Sequence, residues 1–551
     1  MESSTTVGST DRGAVDSPEK VQNAPFKPGS DFWLSYVAII MATLLSALDL
    51  TAVSTALPTI TSELDGADKF VWIGSAYSLA STAILPLSGG LANIFGRKPI
   101  MLISIALFAI GSALSGAAQN MNMLIAARTL QGIGGGGILN LTEVIIADLV
   151  PLAHRGLYQG VLALTWSFAA GIGPPIGGAL AEKGAWRWLF YLNLPLSGIA
   201  FALVLIFLNV RAPEGSISVK LRRVDWFGNF IVIAGATLSM TGLTFAGVRF
   251  PWDSAQVLAP LVIGLALIVA FILYEARIPL EPTIPWGVLS NWTAISGYIG
   301  TFTHGLTSIS VIYYLPIYFQ AVRGDSPIIA GINMFPTALI IAPFAVLSGV
   351  SIAVLKKYIP ANIAGWILII VGFGIMSLLK ADSTTGKWVG YQLVAAAGFG
   401  FLYPSTVFPI LASLPVESTG SALAFFAFVR AFAQTWGITI SATILQNGLK
   451  KKLPDAFVSQ FPQGVEIAYA AIPVIKDLPE PLRTQVRVAF ADSMSLIWKS
   501  MIGITGLGLI SLLFLKEIPM RENTDATYGL EERGDIKKGD LEKQDTTVTP
   551  A

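Results

Sequence analysis

The chain has 551 residues, 53% of them hydrophobic and only 13% charged, where an average soluble protein is about a quarter charged. A net charge of +1 leaves no global field to draw nucleic acid, and the lack of any cysteine excludes disulfides, thiol nucleophiles and thiolate-bound metals. Most of the chain must therefore sit in lipid.

In chain order, residues 1–31 are polar and Ser-rich, lack the short apolar core of a cleaved signal peptide, and are expected to form a disordered cytoplasmic tail. A bilayer core of about 30 Å needs roughly 20 apolar helical residues. Segments of that size follow at 32–57, 71–95, 99–118, 121–149, 156–180 and 186–210, which make a first six-helix bundle over 32–210. A basic linker, 211–223, and two extra spans, 226–248 and 257–274, occupy 211–290. A second six-helix bundle over 291–515 takes in 291–319, 328–350, 361–379, 388–411, 420–445 and 495–515. Its last two spans are separated by a long non-cytoplasmic loop, 446–494, opened by Lys450, Lys451 and Lys452. Residues 516–551 alternate in charge and are expected to be a second disordered cytoplasmic tail. The expected fold is an all-α polytopic membrane protein of about fourteen transmembrane helices.

An even count puts both termini on one side, and basic breaks at Arg97 and Lys98, Arg155, Arg222 and Arg223, Arg277, and Lys356 and Lys357 assign that side to the cytoplasm. Ser88-Gly89 precedes Arg97-Lys98 by the spacing at which Ser348-Gly349 precedes Lys356-Lys357. That echo fits a duplicated half, as in transporters built from repeated bundles.

Ionisable side chains cost several kcal/mol at the bilayer centre, so embedded ones are functional candidates. Asp49, Arg128, Glu143, His304 and Arg430 qualify. Counted along their helices at about 1.5 Å per residue, Asp49 and Arg128 reach similar depth, where they can form a proton-sensitive pair. Asp49 serves equally well as a packing or capping residue near Thr51. Glu143 and Asp148 lie towards the inner end of the fourth span, where ion pairing with Arg97 and Lys98 is the simpler use. His304 titrates in the range proton coupling needs, although a lone membrane histidine is more often a hydrogen-bonded packing residue. Arg430 and Gln434, one turn apart, offer donors either to a solute or to a neighbouring helix.

The glycines from Gly132 to Gly137 match a dinucleotide-binding pattern, but they lie in an apolar span without a preceding strand, where glycine lets helices approach. Gly173, Pro174, Pro175, Gly177 and Gly178 place helix breakers in the fifth span, suited to a bend at a gate. Asn291-Trp292-Thr293 is a glycosylation sequon on a face expected to be cytoplasmic, hence a chance match. Trp186, Trp188 and Tyr191 are expected to anchor at the membrane interface. No HExxH pair, Walker loop, serine elbow or metal-spaced histidine cluster occurs. Neither an enzyme nor an ATP-driven pump is expected, nor any cofactor or metal.

The order of several segments resembles the major facilitator superfamily, and within it the fourteen-span drug:proton antiporter branch common in fungi. LDLTAVSTALP at 48–58 resembles that branch's first-helix motif, with Ser54 where asparagine is usual. GGLANIFGRK at 89–98 resembles the loop motif between helices two and three, and RTLQG at 128–132 the fourth-helix arginine motif. GPPIGG at 173–178 is similar to the fifth-helix antiporter motif that marks exporters. WRWLFYLNLP at 186–195 and YLPIYFQ at 314–320 are further marks of the branch.

The resemblance implies alternating access between two six-helix bundles, driven by protons, that exports a small organic compound such as a secondary metabolite, toxin or drug. The embedded polar residues are read as lining a cavity, Asp49, Arg128, His304, Arg430 and Gln434, with proton coupling at Asp49, Arg128 and His304, a role that the resemblance of the fourth-helix motif supports for Arg128. Gating falls to Asn93, Gly96, Arg97, Lys98 and Asp148 and to the Gly/Pro segment from Gly173 to Gly178, and Arg97 is expected to pair with Asp148. The loop motif normally carries aspartate where this chain has Asn93, and arginine where it has Ile94, so its charged latch is weakened. A monomer in contact with membrane lipid is expected, in the plasma membrane or alternatively the vacuolar membrane. The rivals are a vacuolar importer or facilitator of amino acids, and a non-transporting receptor on a transporter fold.

Overall fold

The computed structural model describes residues 28–64, 69, 71–211, 213–247, 250–279, 282–458, 467 and 471–521. Fourteen helices in it are long and apolar enough to cross a membrane. We number them α1 (Ser30–Glu63), α2 (Val71–Phe95), α3 (Arg97–Gly116), α4 (Met121–Leu149), α5 (Leu152–Glu182) and α6 (Trp188–Phe207) in the first half. An extra pair follows, α7 (Trp226–Phe245) and α8 (Ala255–Glu275). The second half holds α9 (Trp292–Val322), α10 (Ile328–Leu355), α11 (Ile359–Met376), α12 (Thr385–Ala412), α13 (Thr419–Lys452) and α14 (Leu482–Ser511).

Glycine decides how closely the first half packs. A Cβ on Gly134 would stand 2.4 Å from the Phe108 nitrogen of α3, and one on Gly136 2.4 Å from the Ser81 carbonyl of α2. The glycine run of α4 is thus a wedge seated between two neighbours with no room for a methyl group, and has no nucleotide-binding role. The N-terminus of α3 needs glycine for another reason, since Gly96 adopts φ +96°, a region that costs a residue with a Cβ.

The halves meet along two seams. In one, α5 lies against α10 so tightly that a Cβ on Gly156 would be 2.6 Å from Gly349 Cα. In the other, α2 lies against α13, with a Cβ on Gly89 falling 2.5 Å from Ala424 Cβ. Each member of the sequence echo therefore sits on a seam between halves, as a duplicated fold requires. The extra helix α7 packs on both α2 and α13, straddling the second seam.

Several boundaries differ from the hydropathy reading. Helix α13 continues to Lys452, so the lysine run ends a helix and does not open a loop; three cations beside a helix C-terminus are electrostatically favoured. Helix α14 starts at Leu482, because its first turns carry Arg483, Arg487 and Asp492 and escape an apolar window while remaining helical. Helix α5 runs through the Gly/Pro segment, the place expected to bend at a gate, without a break in the helix. Residues 516–521, expected in a disordered tail, are strapped to the second half. The Glu517 carboxylate accepts from the Tyr358 and Ile359 nitrogens at 2.9 and 3.2 Å, capping α11. The Tyr358 hydroxyl donates to the Lys516 carbonyl, and Arg521 Nη2 donates to the Leu411 carbonyl at 2.7 Å. Ser30 and Asp31, expected in the first tail, instead open α1, and the remaining tail expectations on 1–27 and 522–551 lie outside the described residues.

Candidate functional site

Five helices of the first half converge on one buried ion pair. Arg128 Nη1 of α4 donates to Asp49 Oδ2 of α1 at 2.6 Å, and both side chains are at most 1% exposed. Gln131 Nε2 and Asn193 Nδ2 each donate to Asp49 Oδ1 at 2.8 Å, so every carboxylate oxygen has a donor. Arg128 also donates to Gln131 Oε1 at 2.7 Å and to the Ile73 carbonyl at 3.2 Å, and its guanidinium lies 4.6 Å from the centre of the Tyr77 ring. Uncompensated burial of either charge would cost several kcal/mol, so the two are bound to each other's charge state. Protonating Asp49 cancels one charge and leaves Arg128 buried without its counter-ion, a strong drive to rearrange.

The expectation that Asp49 and Arg128 line a cavity with His304, Arg430 and Gln434 is corrected by this geometry. The pair is sealed inside the first bundle, because polar partners on α3, α4 and α6 close over it. His304, Arg430 and Gln434 lie in the second half. His304 Nε2 is 3.3 Å from the Phe399 carbonyl of α12, and Gly305 beside it packs on the Arg430 backbone. Arg430 Nη2 donates to the Tyr403 carbonyl at 3.1 Å, and its guanidinium sits 4.8 and 4.4 Å from the Tyr403 and Phe426 ring centres. Gln434 is half-buried one turn further along α13.

Glu143 was read as an ion-pairing residue near Arg97 and Lys98, and that too is corrected. It accepts from Gln159 Nε2 of α5 at 3.1 Å, and Arg430 acts on it electrostatically from across the seam. Its place near the inner end by residue count misled, because a helix face, not depth alone, decides what a side chain meets. Glu143, Gln159, Tyr403 and Arg430 thereby form a polar patch shared by both halves. Gln159 and Tyr403 carried no signal beyond being polar residues in apolar spans.

At the basic end the gating candidates do come together. Arg97 Nε pairs with Asp148 Oδ2 at 2.7 Å, as the resemblance implied, with both side chains at most 3% exposed. Arg97 Nη1 donates to Asn93 Oδ1 at 3.0 Å, and Asn93 Nδ2 donates to Ser421 Oγ of α13 at 3.2 Å. Asn93 therefore still bridges the halves, through a neutral hydrogen bond beside the N-terminus of α13. Lys98 Nζ binds Asn209 Oδ1 at 3.0 Å, tying α3 to the end of α6. In α5, Gly173 has another use, since a Cβ there would stand 2.2 Å from Thr51 Oγ1. Pro175 faces Ile328, Ile332 and Phe335 of α10 across a gap of about 20 Å³. Gly177 is buried, and Gly178 lies against Ile328; Pro174 falls outside the described side chains.

Trp186 is no interfacial anchor. It is fully buried and donates from Nε1 to Glu63 Oε2 at 2.6 Å, whereas Trp188 is exposed as expected. Asn291 caps α9 by accepting from the Thr293 nitrogen at 2.8 Å, a structural use for the sequon's first residue.

Two helical bundles with an interhelical seam, a buried acid–arginine pair and a latch at the basic end define a multi-pass membrane transporter. Residues 39–438 match the family model of the Major Facilitator Superfamily, and the chain belongs to that family. It is 38% identical to the efflux pump FUS6 of Gibberella fujikuroi, covering 95% of this chain and 96% of that one. It is 36% identical both to the MFS-type efflux pump LUC4 of a Fusarium species, over 97% and 96% of the two chains, and to the Acurin A biosynthesis cluster MFS-type transporter of Aspergillus aculeatus, over 95% of each. Among solved structures it shares the fold of the human organic anion transporter MFSD10, with a TM-score of 0.58 at 15% identity, covering 89% of this chain and all of that one. The proton:xylose symporter XylE matches with a TM-score of 0.54, also at 15% identity, over 84% and 99%.

Proposed function

We propose that this protein is a proton-coupled exporter of a small organic compound, a secondary metabolite, toxin or drug. The observation that carries the proton role is the sealed Asp49–Arg128 pair with its Gln131 and Asn193 donors. A proton arriving on Asp49 from the outer side releases Arg128, and the cost of that unpaired buried cation drives the first bundle to repack. Loss of the proton to the inner side restores the pair. Glu143 and Arg430, on opposite sides of the seam, bind the polar part of the solute, and the rings of Tyr403 and Phe426 bind its apolar part. Asn93, Arg97 and Asp148 hold the inner end shut while the outer end exchanges. The direction of transport is supported by relatives whose names describe efflux pumps and a biosynthesis-cluster transporter. The protein acts as a monomer in the plasma membrane.

The test is uptake into inside-out vesicles carrying the protein, with candidate metabolites and an imposed pH gradient. Asp49→Asn should abolish gradient-driven accumulation and spare solute exchange. Unchanged gradient dependence in that variant would assign the proton elsewhere.

A further inference from the structure

The extra helix pair carries a second buried acid site, outside both six-helix halves. Asp225 caps α7, its Oδ1 accepting from the Gly228 nitrogen at 2.9 Å and from the Tyr274 hydroxyl at 3.1 Å. Glu275 ends α8, only 6% exposed, with Oε2 accepting from the Ile284 nitrogen at 3.3 Å. The other oxygen of each acid, Asp225 Oδ2 and Glu275 Oε1, is buried and has no donor among the described residues. These two orphans face each other. A Cβ on Gly228 would lie 2.0 Å from Asp225 Oδ2 and 3.0 Å from Glu275 Oε1, and the two carboxyls are within side-chain hydrogen-bonding reach.

Two ionised carboxylates facing each other with no donor between them pay both desolvation and like-charge repulsion. One proton between them supplies the missing donor to both orphans and removes a charge, as in other paired carboxyls. We propose that Asp225 and Glu275 together bind a single proton at the basic end of α7 and α8, separately from the Asp49–Arg128 pair.

One acid of the pair borders a cavity: Asp225 lines a space of about 210 Å³ together with Arg223, Asn229, Asn93, Glu417 and Ser421. Among the described residues, the charged and titratable groups at the pair and its cavity are Tyr274 from α8, Arg223 from the linker and Glu417 from the segment before α13; α2 contributes the neutral Asn93 to the cavity. The cavity shares Asn93 and Ser421 with the contact that bridges the halves. Loss of the proton would place two facing negative charges where α7 leans on that seam, so the site reports the acidity of the face that the charge bias assigns to the cytoplasm.

The test uses the full chain in lipid nanodiscs and infrared difference spectra recorded across a pH titration. A protonated carboxyl gives a C=O stretch that a carboxylate lacks. Glu275→Gln keeps a donor to Asp225 in place of the proton, so its fold is preserved; the expected result is loss of one titrating carboxyl band relative to wild type. Asp225→Asn should lose the same band, and Asp49→Asn should keep it. The proposal is overturned if the Glu275→Gln and wild-type titrations coincide. It is also overturned if the band appears in wild type only after chelation, which would make the ligand a metal cation. Because the readout is a bound proton and not transport, its failure and the failure of proton-coupled export are separate results.

Discussion

Replacing Asn93 with aspartate restores the charge that the loop motif usually carries, and the structure sets its consequence. The side chain sits between Arg97 Nη1, at 3.0 Å, and the first turn of α13, where a Cβ on Gly420 would come 2.7 Å from Asn93 Oδ1. A new negative charge gains about 0.3–1 kcal/mol from the helix N-terminus, and up to about 2 kcal/mol when partly buried. The bond to Arg97 becomes charge-assisted, about twice as strong as its neutral form. Against this, Asp148 already holds Arg97 Nε at 2.7 Å, so the second carboxylate shares a cation and repels the first. The contact to Ser421 survives because the serine hydroxyl can donate in place of Asn93 Nδ2. The net is about 1 kcal/mol in favour of the closed inner end, or roughly a fivefold shift in the closed-to-open ratio. Spin labels on Leu157→Cys and Val354→Cys, exposed sites on the two helices of the other seam, read that ratio directly in a chain without native cysteine. Transport should be intact or faster in Asn93→Asp. A population shifted towards the open inner end, or complete loss of export, would refute the argument.

Other consequences are equally specific. Glu143→Gln should weaken solute binding, seen as a raised KM for export, without changing how the purified protein melts. Gly136→Ala forces a Cβ to 2.4 Å from the Ser81 backbone carbonyl and should cost about 1–3 kcal/mol or more, read as lost folded yield on size-exclusion chromatography. Trp186→Phe removes the bond to Glu63 and should lower the melting temperature by the equivalent of about 1 kcal/mol, while Trp188→Phe leaves it unchanged. Burial pushes the Tyr358 hydroxyl up to about 12, with the donation it receives from the Ile518 nitrogen acting the other way and Glu517 adding to the rise. The phenol therefore stays protonated at every physiological pH. The strap at 516–521 should resist proteolysis equally at pH 6 and pH 8, and Tyr358→Phe should expose it at both.

What was legible in the sequence is what lipid imposes on any chain. Backbone groups in a bilayer must be satisfied internally, so apolar length alone marked out fourteen helices, with the bounds of α2 and α4 met to the residue. Glycine runs announced close helix contacts, and a costly embedded charge announced Asp49 and Arg128 as candidates at matching depth. Hydropathy could not see polar-faced turns, which is why the end of α13 and the start of α14 were missed, nor a six-residue strap held by hydrogen bonds. Only the tertiary structure decided which face each polar residue presents and to whom. It sealed Asp49 and Arg128 inside one bundle, turned Glu143 from the basic end to the seam opposite Arg430, buried Trp186, and brought Asp225 to Glu275 across fifty residues of sequence. Spacing along a helix sets depth and angle, but a buried charge is defined by its partners, and those partners come from helices that meet only when the bundles pack.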